Sequence, residues 1–172
     1  MSIEANQAQE SQIILLLRQE EGVRQSPYLD SLGYPTIGVG FRLGPQGASL
    51  SNYLFTLENT TIDAWLSDIV KNVNSGMLAH EDISMAMAVC NMPRRDILTS
   101  MAYQMGISGL GKFRHMLAFI QAENWDEAAS QMLDSTWAKQ TPQRAQRHAS
   151  VMRSGKWEPA YNSFSKSSQS GL

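Results

Sequence analysis

Residues 20–41 read EEGVRQSPYLDSLGYPTIGVGF, and this stretch contains the change from helix to strand that sets the architecture of the chain. The preceding segment, 11–21, predicts a helix because its apolar residues form one broad face and Ser11 suits the N-cap position. Gly22 ends that helix, since glycine accepts the backbone conformation found at helix C-termini. Two short strands are then predicted, at 28–30 and 34–41, joined by a turn at 31–33.

The second predicted strand has two different faces, because side chains alternate along an extended backbone. One face carries apolar residues that can pack on a core: Ile37, Val39 and Phe41. The other offers bare backbone and one hydroxyl: Thr36, Gly38 and Gly40. The sequence therefore predicts a small β-hairpin with one polar, glycine-lined side.

The rest of the chain has the spacing of helices. Thr60 and Asp63 have the spacing of a capping box, and apolar residues then recur at helical intervals over 60–76. Five more amphipathic segments are predicted, at 82–91, 94–105, 113–122, 125–134 and 142–153. The expected class is α+β and mostly helical.

Composition limits the classes of function. The chain has 172 residues, 42 % apolar and 17 % charged, which is typical of one compact unit or two small lobes and excludes disorder. A net charge of −2 argues against a nucleic-acid partner bound through overall charge. Residues 1–86 hold 10 acidic and 4 basic residues, whereas residues 87–172 hold 6 acidic and 10 basic. This asymmetry favours an anionic partner for the second half, although ordinary solvating charges explain it equally well.

Cysteine, histidine and hydropathy patterns point to a protein without cofactors. Cys90 is the single cysteine, and the three histidines lack metal-ligand spacing, so we expect no metal and no disulfide. The longest apolar run, 13–17, is too short to span a membrane, and acidic residues precede it where a secretion signal would be basic. We expect a soluble protein made in the cytoplasm, without a signal peptide and without membrane insertion.

Three polar residues within 20–41 are candidate catalytic residues. Glu21 ends a predicted helix, where the negative pole of the dipole favours the protonated form that a general acid needs. Asp30 and Thr36 flank the hairpin turn. Taken singly, each has an ordinary explanation: a surface glutamate, a turn aspartate and a β-forming threonine. Together, Glu21 and Asp30 resemble the paired carboxyls that glycosidic hydrolysis requires, and Thr36 adds a hydroxyl beside them.

Ordered motifs make the resemblance specific. The residues are Glu21-Gly22, Tyr28, Asp30, Gly33-Tyr34 and TIGVG at 36–40, then YQMG at 103–106, NWDEAA at 124–129, and Trp137 followed by QTP at 140–142 and RAQR at 144–147. In this order the motifs resemble the T4-type phage lysozymes, the muramidases of glycoside hydrolase family 24. The resemblance extends over about residues 11–157. It implies a lysozyme-like fold with a small β-hairpin lobe at 22–59, a linking helix at 60–76 and a helical lobe at 77–162 on which 11–21 packs. Residues 1–10 and 163–172 would be flexible ends.

The resemblance also implies roles. Glu21 would be the general acid, and Asp30 would stabilise positive charge and hold the attacking water, with Thr36 as its partner. Substrate would be bound by Arg42, Tyr103, Gln104, Met116 and Gln131. Arg144 would contact the catalytic glutamate, and Glu20 and Arg147 would form an ion pair beside it. One departure is Phe41, where the family has a histidine, so Asp68 would need a different contact.

The function implied is a monomeric muramidase. It would cleave the β-1,4 bond between N-acetylmuramic acid and N-acetylglucosamine in peptidoglycan glycan strands, with inversion. It would act as an endolysin that leaves the host cytoplasm through holin lesions and reaches peptidoglycan in the periplasm. A non-catalytic peptidoglycan-binding or scaffolding module on a lysozyme fold is the alternative. A basic nucleic-acid-binding helix at 144–153 is a weaker one, because no aromatic or base-reading pattern accompanies it.

Overall fold

The computed structural model describes residues 10–164. Within them the elements run in this order: α1 (Ile13–Glu21), β1 (Arg24–Leu29), β2 (Pro35–Gly38), β3 (Phe41–Arg42), a 3-10 turn (Leu50–Asn52), α2 (Asn59–Ala79), α3 (Glu81–Val89), α4 (Met92–Gly111), α5 (Arg114–Gln121), α6 (Trp125–Leu133), α7 (Thr136–Gln140) and α8 (Pro142–Ser154). This confirms the predicted mostly helical α+β class.

The chain divides into two compact units. The small unit is Ile14–Asn72, and the large unit contains, among the described residues, 73–164 together with 10–13. The small unit holds the sheet, and the large unit holds α3 to α8. Within residues 10–164, no helix is both long and apolar enough to cross a membrane.

The sheet of the small unit is antiparallel, in the order β1-β2-β3. The single strand predicted over 34–41 is wrong, because the chain turns after Gly38 and returns as β3. Gly38 and Gly40 have φ of 65° and 74°, left-handed values at which β-strand geometry stops. The open polar face is also wrong, since Thr36 is 3 % exposed and is buried like Ile37.

Two sets of contacts connect α2 to the rest of the small unit. Phe41 packs on Trp65 with ring centroids 4.6 Å apart. Arg18 of α1 donates to the Asp63 carboxylate of α2 at 2.6 Å and to the Asn59 side chain at 3.0 Å. The predicted capping box is therefore wrong, because α2 already begins at Asn59 and the carboxylate of Asp63 binds Arg18.

The large unit contains one helix that sequence patterns missed. Residues 136–140 form the short α7, whose N-cap Ser135 accepts a hydrogen bond from the Ala138 amide. The predicted helix at 94–105 extends to Gly111 as α4, but its backbone is non-helical at Gly106. Asn124 caps α6 as expected, by accepting from the Glu127 amide.

The described C-terminus packs further than predicted. Phe164 is 4 % exposed and stacks on Tyr161, with centroids 5.0 Å apart, and on the edge of Trp157 at 5.1 Å. A flexible tail starting at residue 163 is therefore wrong at Phe164, because three aromatic rings bury one another there. Residues 165–172 of that predicted tail, and residues 1–9 of the predicted flexible N-terminus, lie outside the described part of the chain.

A buried carboxylate holds the start of the described chain. Asp96 of α4 accepts from the Ser11 hydroxyl and from the Gln12 amide, both at 2.7 Å. Burial raises the pKa of Asp96 to about 6, while the Ser11 and Gln12 hydrogen bonds act in the opposite direction. The Asp96 carboxylate thus connects α4 to the residues that precede α1, but burying its negative charge lowers the free energy of unfolding.

Candidate active site

Glu21 is placed by the end of α1. The Gly22 amide still donates to the Arg18 carbonyl at 3.1 Å, but Gly22 itself has φ of 74°. That left-handed residue stops the helix, so Glu21 is its last residue, as predicted. Its side chain is half-buried at the negative pole of the helix.

Asp30 is held by the turn that follows β1. Its Oδ1 accepts from the Leu32 amide and the Tyr34 amide, both at 2.9 Å. The Asp30 amide in turn donates to the Tyr34 carbonyl at 3.0 Å. Within residues 10–164 both hydrogen bonds to this carboxylate fall on Oδ1, so Oδ2 can accept from a water or face a developing cation.

Thr36 is connected to Asp30 through Tyr34. The Thr36 hydroxyl donates to the Tyr34 carbonyl at 2.9 Å, while the Tyr34 amide donates to Asp30. In the sheet, Thr36 lies between Tyr28 of β1 and Arg42 of β3, each directly opposite it in the register. Directly opposed residues share a face, so Tyr28, Thr36 and Arg42 form one row across the sheet.

The pKa of Tyr28 shows that both candidate carboxyls lie near its phenol. Burial raises the pKa of the Tyr28 phenol, the nearby Arg24 lowers it, and the charges of Asp30 and Glu21 raise it further. Both carboxylates therefore lie within electrostatic reach of the same phenol. Two carboxyls in different settings, one at a helix end and one in a turn, are the type of pair that glycosidic hydrolysis requires.

Comparison with known proteins identifies the family. The model of the phage lysozyme family matches residues 18–154, which include all three candidates. The chain belongs to the phage lysozyme family. This confirms the resemblance drawn from the motifs and supports a lysozyme-like function of the glycosidase-like hydrolase type.

Individual relatives differ in how much of their length they share with this chain. The pre-baseplate central spike protein Gp5 of Enterobacteria phage T4 is 31 % identical over 163 residues, 83 % of this chain but only 28 % of the spike protein. The probable T4-type lysozymes 1 and 2 of Dictyostelium discoideum are 29 % and 28 % identical, over 81 % of this chain and 92 % of each relative. The chain thus spans nearly the whole of two relatives and about a quarter of the third.

The predicted substrate-binding residues of the large unit have different settings. Gln104 is exposed on α4, where its side-chain oxygen accepts from the Trp137 indole at 2.8 Å. Tyr103 and Gln131 are half-buried. Met116 is 1 % exposed and packs in the core, so its role as a sugar contact stays a prediction.

Arg144 belongs to a buried polar network that the sequence did not reveal. Its guanidinium donates to the Ser100 hydroxyl at 2.8 Å and to the Ser100 carbonyl at 3.2 Å. The Ser100 hydroxyl also bonds His148 Nε2 at 2.8 Å, and His148 Nδ1 bonds the Tyr161 hydroxyl at 2.9 Å. The available signal was the i,i+4 spacing of Arg144 and His148, which puts both on one face of α8.

Some implied contacts stay predictions, and one departure from the family is explained. The pairing of Arg144 with Glu21 and the ion pair of Glu20 with Arg147 remain predictions. Where the family has a histidine, Phe41 packs on Trp65. Asp68, the side chain left without that histidine, binds Lys71 Nζ at 3.1 Å.

Proposed function

We propose that this chain is a muramidase that hydrolyses the β-1,4 bond between N-acetylmuramic acid and N-acetylglucosamine with inversion at the anomeric carbon. The carrying observation is the setting of Asp30, whose Oδ1 is fixed by two amides at 2.9 Å while Oδ2 is open. A carboxylate held in this way keeps its geometry without being neutralised by another side chain. Family membership and the presence of Glu21 at the end of α1 support the assignment.

In the proposed mechanism the two carboxyls have separate tasks. Protonated Glu21 gives its proton to the glycosidic oxygen, so that the C–O bond breaks and the leaving sugar departs as an alcohol. A water bound at Asp30 Oδ2 attacks the anomeric carbon from the opposite face and passes a proton to Asp30. Asp30 also stabilises the positive charge of the oxocarbenium-like transition state. Transfer of one proton from Asp30 back to Glu21 through solvent completes the cycle.

Thr36 and Tyr34 act as positioning residues in this scheme. Tyr34 binds Asp30 through its amide and Thr36 through its carbonyl, so a shift of β2 would move the carboxylate. The Thr36 hydroxyl oxygen keeps acceptor capacity after donating to Tyr34, and a water between Thr36 and Asp30 would use it. This arrangement favours a held water over a covalent sugar–Asp30 intermediate.

Substitution of the two carboxyls tests the chemistry. Glu21→Gln and Asp30→Asn should each lower the release of reducing ends from purified peptidoglycan by about 10²–10⁴-fold. Glu58→Gln is the matched control, because Glu58 is exposed just before α2 and its side chain has no hydrogen bond within residues 10–164. Circular dichroism confirms that each variant is folded. Parental activity in Glu21→Gln would overturn the proposal, and binding of peptidoglycan without fragment release by the wild type would favour the non-catalytic alternative.

Proton NMR of the first products tests the stereochemistry. Inversion produces the α-anomer at the new reducing end before mutarotation begins. An initial β-anomer would show retention and would make Asp30 a nucleophile.

We further propose that the protein acts as a monomeric endolysin; membership of the phage lysozyme family supports the lysozyme part of this proposal. Sedimentation at increasing protein concentration should give a constant monomer mass.

Expression in the cytoplasm of a Gram-negative host should cause lysis only after the inner membrane is permeabilised. Lysis without permeabilisation would contradict release through membrane lesions. The similarity to a central spike protein raises a virion-borne role as the competing outcome, and detection of the chain in purified virions would support that role.

A further inference from the structure

Arg42 occupies a defined place beside the candidate catalytic residues. It lies in β3 directly opposite Thr36, and Thr36 lies directly opposite Tyr28. These three side chains share one face of the sheet. Arg42 is exposed, whereas Thr36 beside it is buried. The sheet therefore presents a cation to solvent next to the residue that is tied to Asp30.

The guanidinium of Arg42 is held by stacking. It lies 3.5 Å from the centroid of the Tyr34 ring, within the range of a cation–π contact. Tyr34 is also the residue whose amide binds Asp30 and whose carbonyl binds the Thr36 hydroxyl. Arg42 is thus fixed to the same residue that orders the catalytic turn, and its position relative to Asp30 is restricted.

The hydrogen-bond donors of Arg42 are available. In residues 10–164 its guanidinium makes no hydrogen bond and no ion pair, in contrast to Arg18, which binds both Asp63 and Asn59. Stacking on a ring leaves the edge of the guanidinium open, and that edge matches the two oxygens of a carboxylate. The natural ligand of such a group is therefore an anion with planar geometry.

The small unit has an excess of negative charge, which a cation beside the candidate site reduces. Residues 14–72 contain six acidic side chains and four basic ones, and two of the acidic ones are Glu21 and Asp30. An anionic polymer that approaches these carboxylates is repelled, because like charges in one site raise the free energy of binding. A fixed cation on the same sheet face offsets this repulsion where the substrate binds.

We propose that Arg42 binds a carboxylate on the lactyl-peptide substituent of the glycan and so makes the site prefer acidic peptidoglycan strands over neutral ones. This inference rests on the proposed muramidase function. It assigns Arg42 a specificity role: its partner is the substituent on the sugar, and the bond-breaking step belongs to Glu21 and Asp30. Tyr34 contributes by holding the guanidinium in place.

The experiment compares two substrates that differ only in charge. Uncross-linked peptidoglycan strands are used either as isolated or after their carboxylates have been converted to amides with a carbodiimide and ammonia. The measured quantity is the preference, defined as kcat/KM on acidic strands divided by kcat/KM on amidated strands. The wild type should show a preference of about tenfold or more, equal to about 1.4 kcal/mol, as expected for a charge-assisted hydrogen bond.

Variants assign the preference to Arg42. Arg42→Ala should reduce it to about one or below, because the remaining carboxylates repel acidic strands. Arg42→Lys should leave part of it, because lysine keeps the charge but loses the planar, stacked fork. Tyr34→Leu should lower the preference, whereas Tyr34→Phe keeps the ring and should retain it. Lys71→Gln is the control for general charge, since it removes a cation of the same unit from α2 and should not change the ratio.

Each outcome is decisive. A wild type that cleaves both strands equally, or an Arg42→Ala variant with the wild-type preference, overturns the role of Arg42 alone. A preference that falls equally in Lys71→Gln would assign it to general attraction and also overturn the proposal. A wild type that cleaves neither strand refutes the muramidase proposal itself, so the two failures are distinguishable. Binding of both strands to Glu21→Gln by calorimetry gives the same comparison without turnover.

Discussion

Replacing Asp96 by asparagine should stabilise the protein at neutral pH. Asp96 is 4 % exposed, and burial raises its pKa from 3.8 to about 6 despite the two hydrogen bonds it accepts. Asparagine resembles the protonated acid, because its oxygen can accept from the Gln12 amide while its NH₂ donates to the Ser11 hydroxyl. The variant therefore keeps both contacts without the cost of burying a charge.

The pKa values determine the sign and size of this effect. Below about pH 3.8 the carboxyl is protonated in the folded and unfolded chains, so it makes no pH-dependent contribution. Between about pH 3.8 and 6 the unfolded chain ionises first, and stability falls as the pH rises. Above pH 6 the penalty is constant, and a shift of about two pKa units corresponds to about 3 kcal/mol. For a chain of this length, that is about 6–12 °C in Tm.

Urea unfolding of wild type and Asp96→Asn at several pH values measures the difference directly. The variant should be more stable by up to about 3 kcal/mol near neutral pH, and the difference should vanish by about pH 4. Asp134→Asn, at an exposed position after α6, is the control and should show no such pH dependence. A variant that is less stable than wild type at neutral pH, with the gap closing on acidification, would refute the reasoning. That result would show that the two hydrogen bonds favour the ionised form more than burial disfavours it.

Four further substitutions test the packing. Arg94→Met should cost about 1–3 kcal/mol, because Arg94 donates to the Met152 and Arg153 carbonyls and stacks on Trp125 at 3.7 Å; equilibrium unfolding measures this cost. His148→Leu should cost a comparable amount, since it leaves the buried Ser100 and Tyr161 hydroxyls without their shared partner; a stability unchanged in urea would contradict this. Phe41→Ala should cost about 3–5 kcal/mol and change Trp65 fluorescence, because it removes the ring packed against that indole. Phe164→Ala should lower Tm by several degrees through loss of its contacts with Trp157 and Tyr161, whereas an unchanged Tm would restore the prediction of a tail that begins at residue 163.

Much of the fold was predictable because its signals are local. Helical spacing located α2 to α6 and α8, and Asn124 marked the start of α6. The sequence does not predict the short α7, because five residues carry too little periodicity to separate a helix from a turn. The single strand predicted over 34–41 is wrong for a similar reason: apolar and small residues can alternate in sequence through a tight turn, and only the backbone dihedral angles reveal that turn.

The positions of Glu21 and Asp30 followed from the amino-acid sequence by itself. Gly22 ends the helix behind Glu21, and Asp30 bonds to the amides of its own turn, so both are governed by neighbours within four residues. The burial of Thr36 and Met116, the stacking of Arg42 on Tyr34 and the tie from Asp96 to Ser11 were decided only by the tertiary structure. So was the chain of hydrogen bonds from Arg144 through Ser100 and His148 to Tyr161. These contacts join different elements, and their free energy depends on desolvation and geometry that exist only after those elements pack.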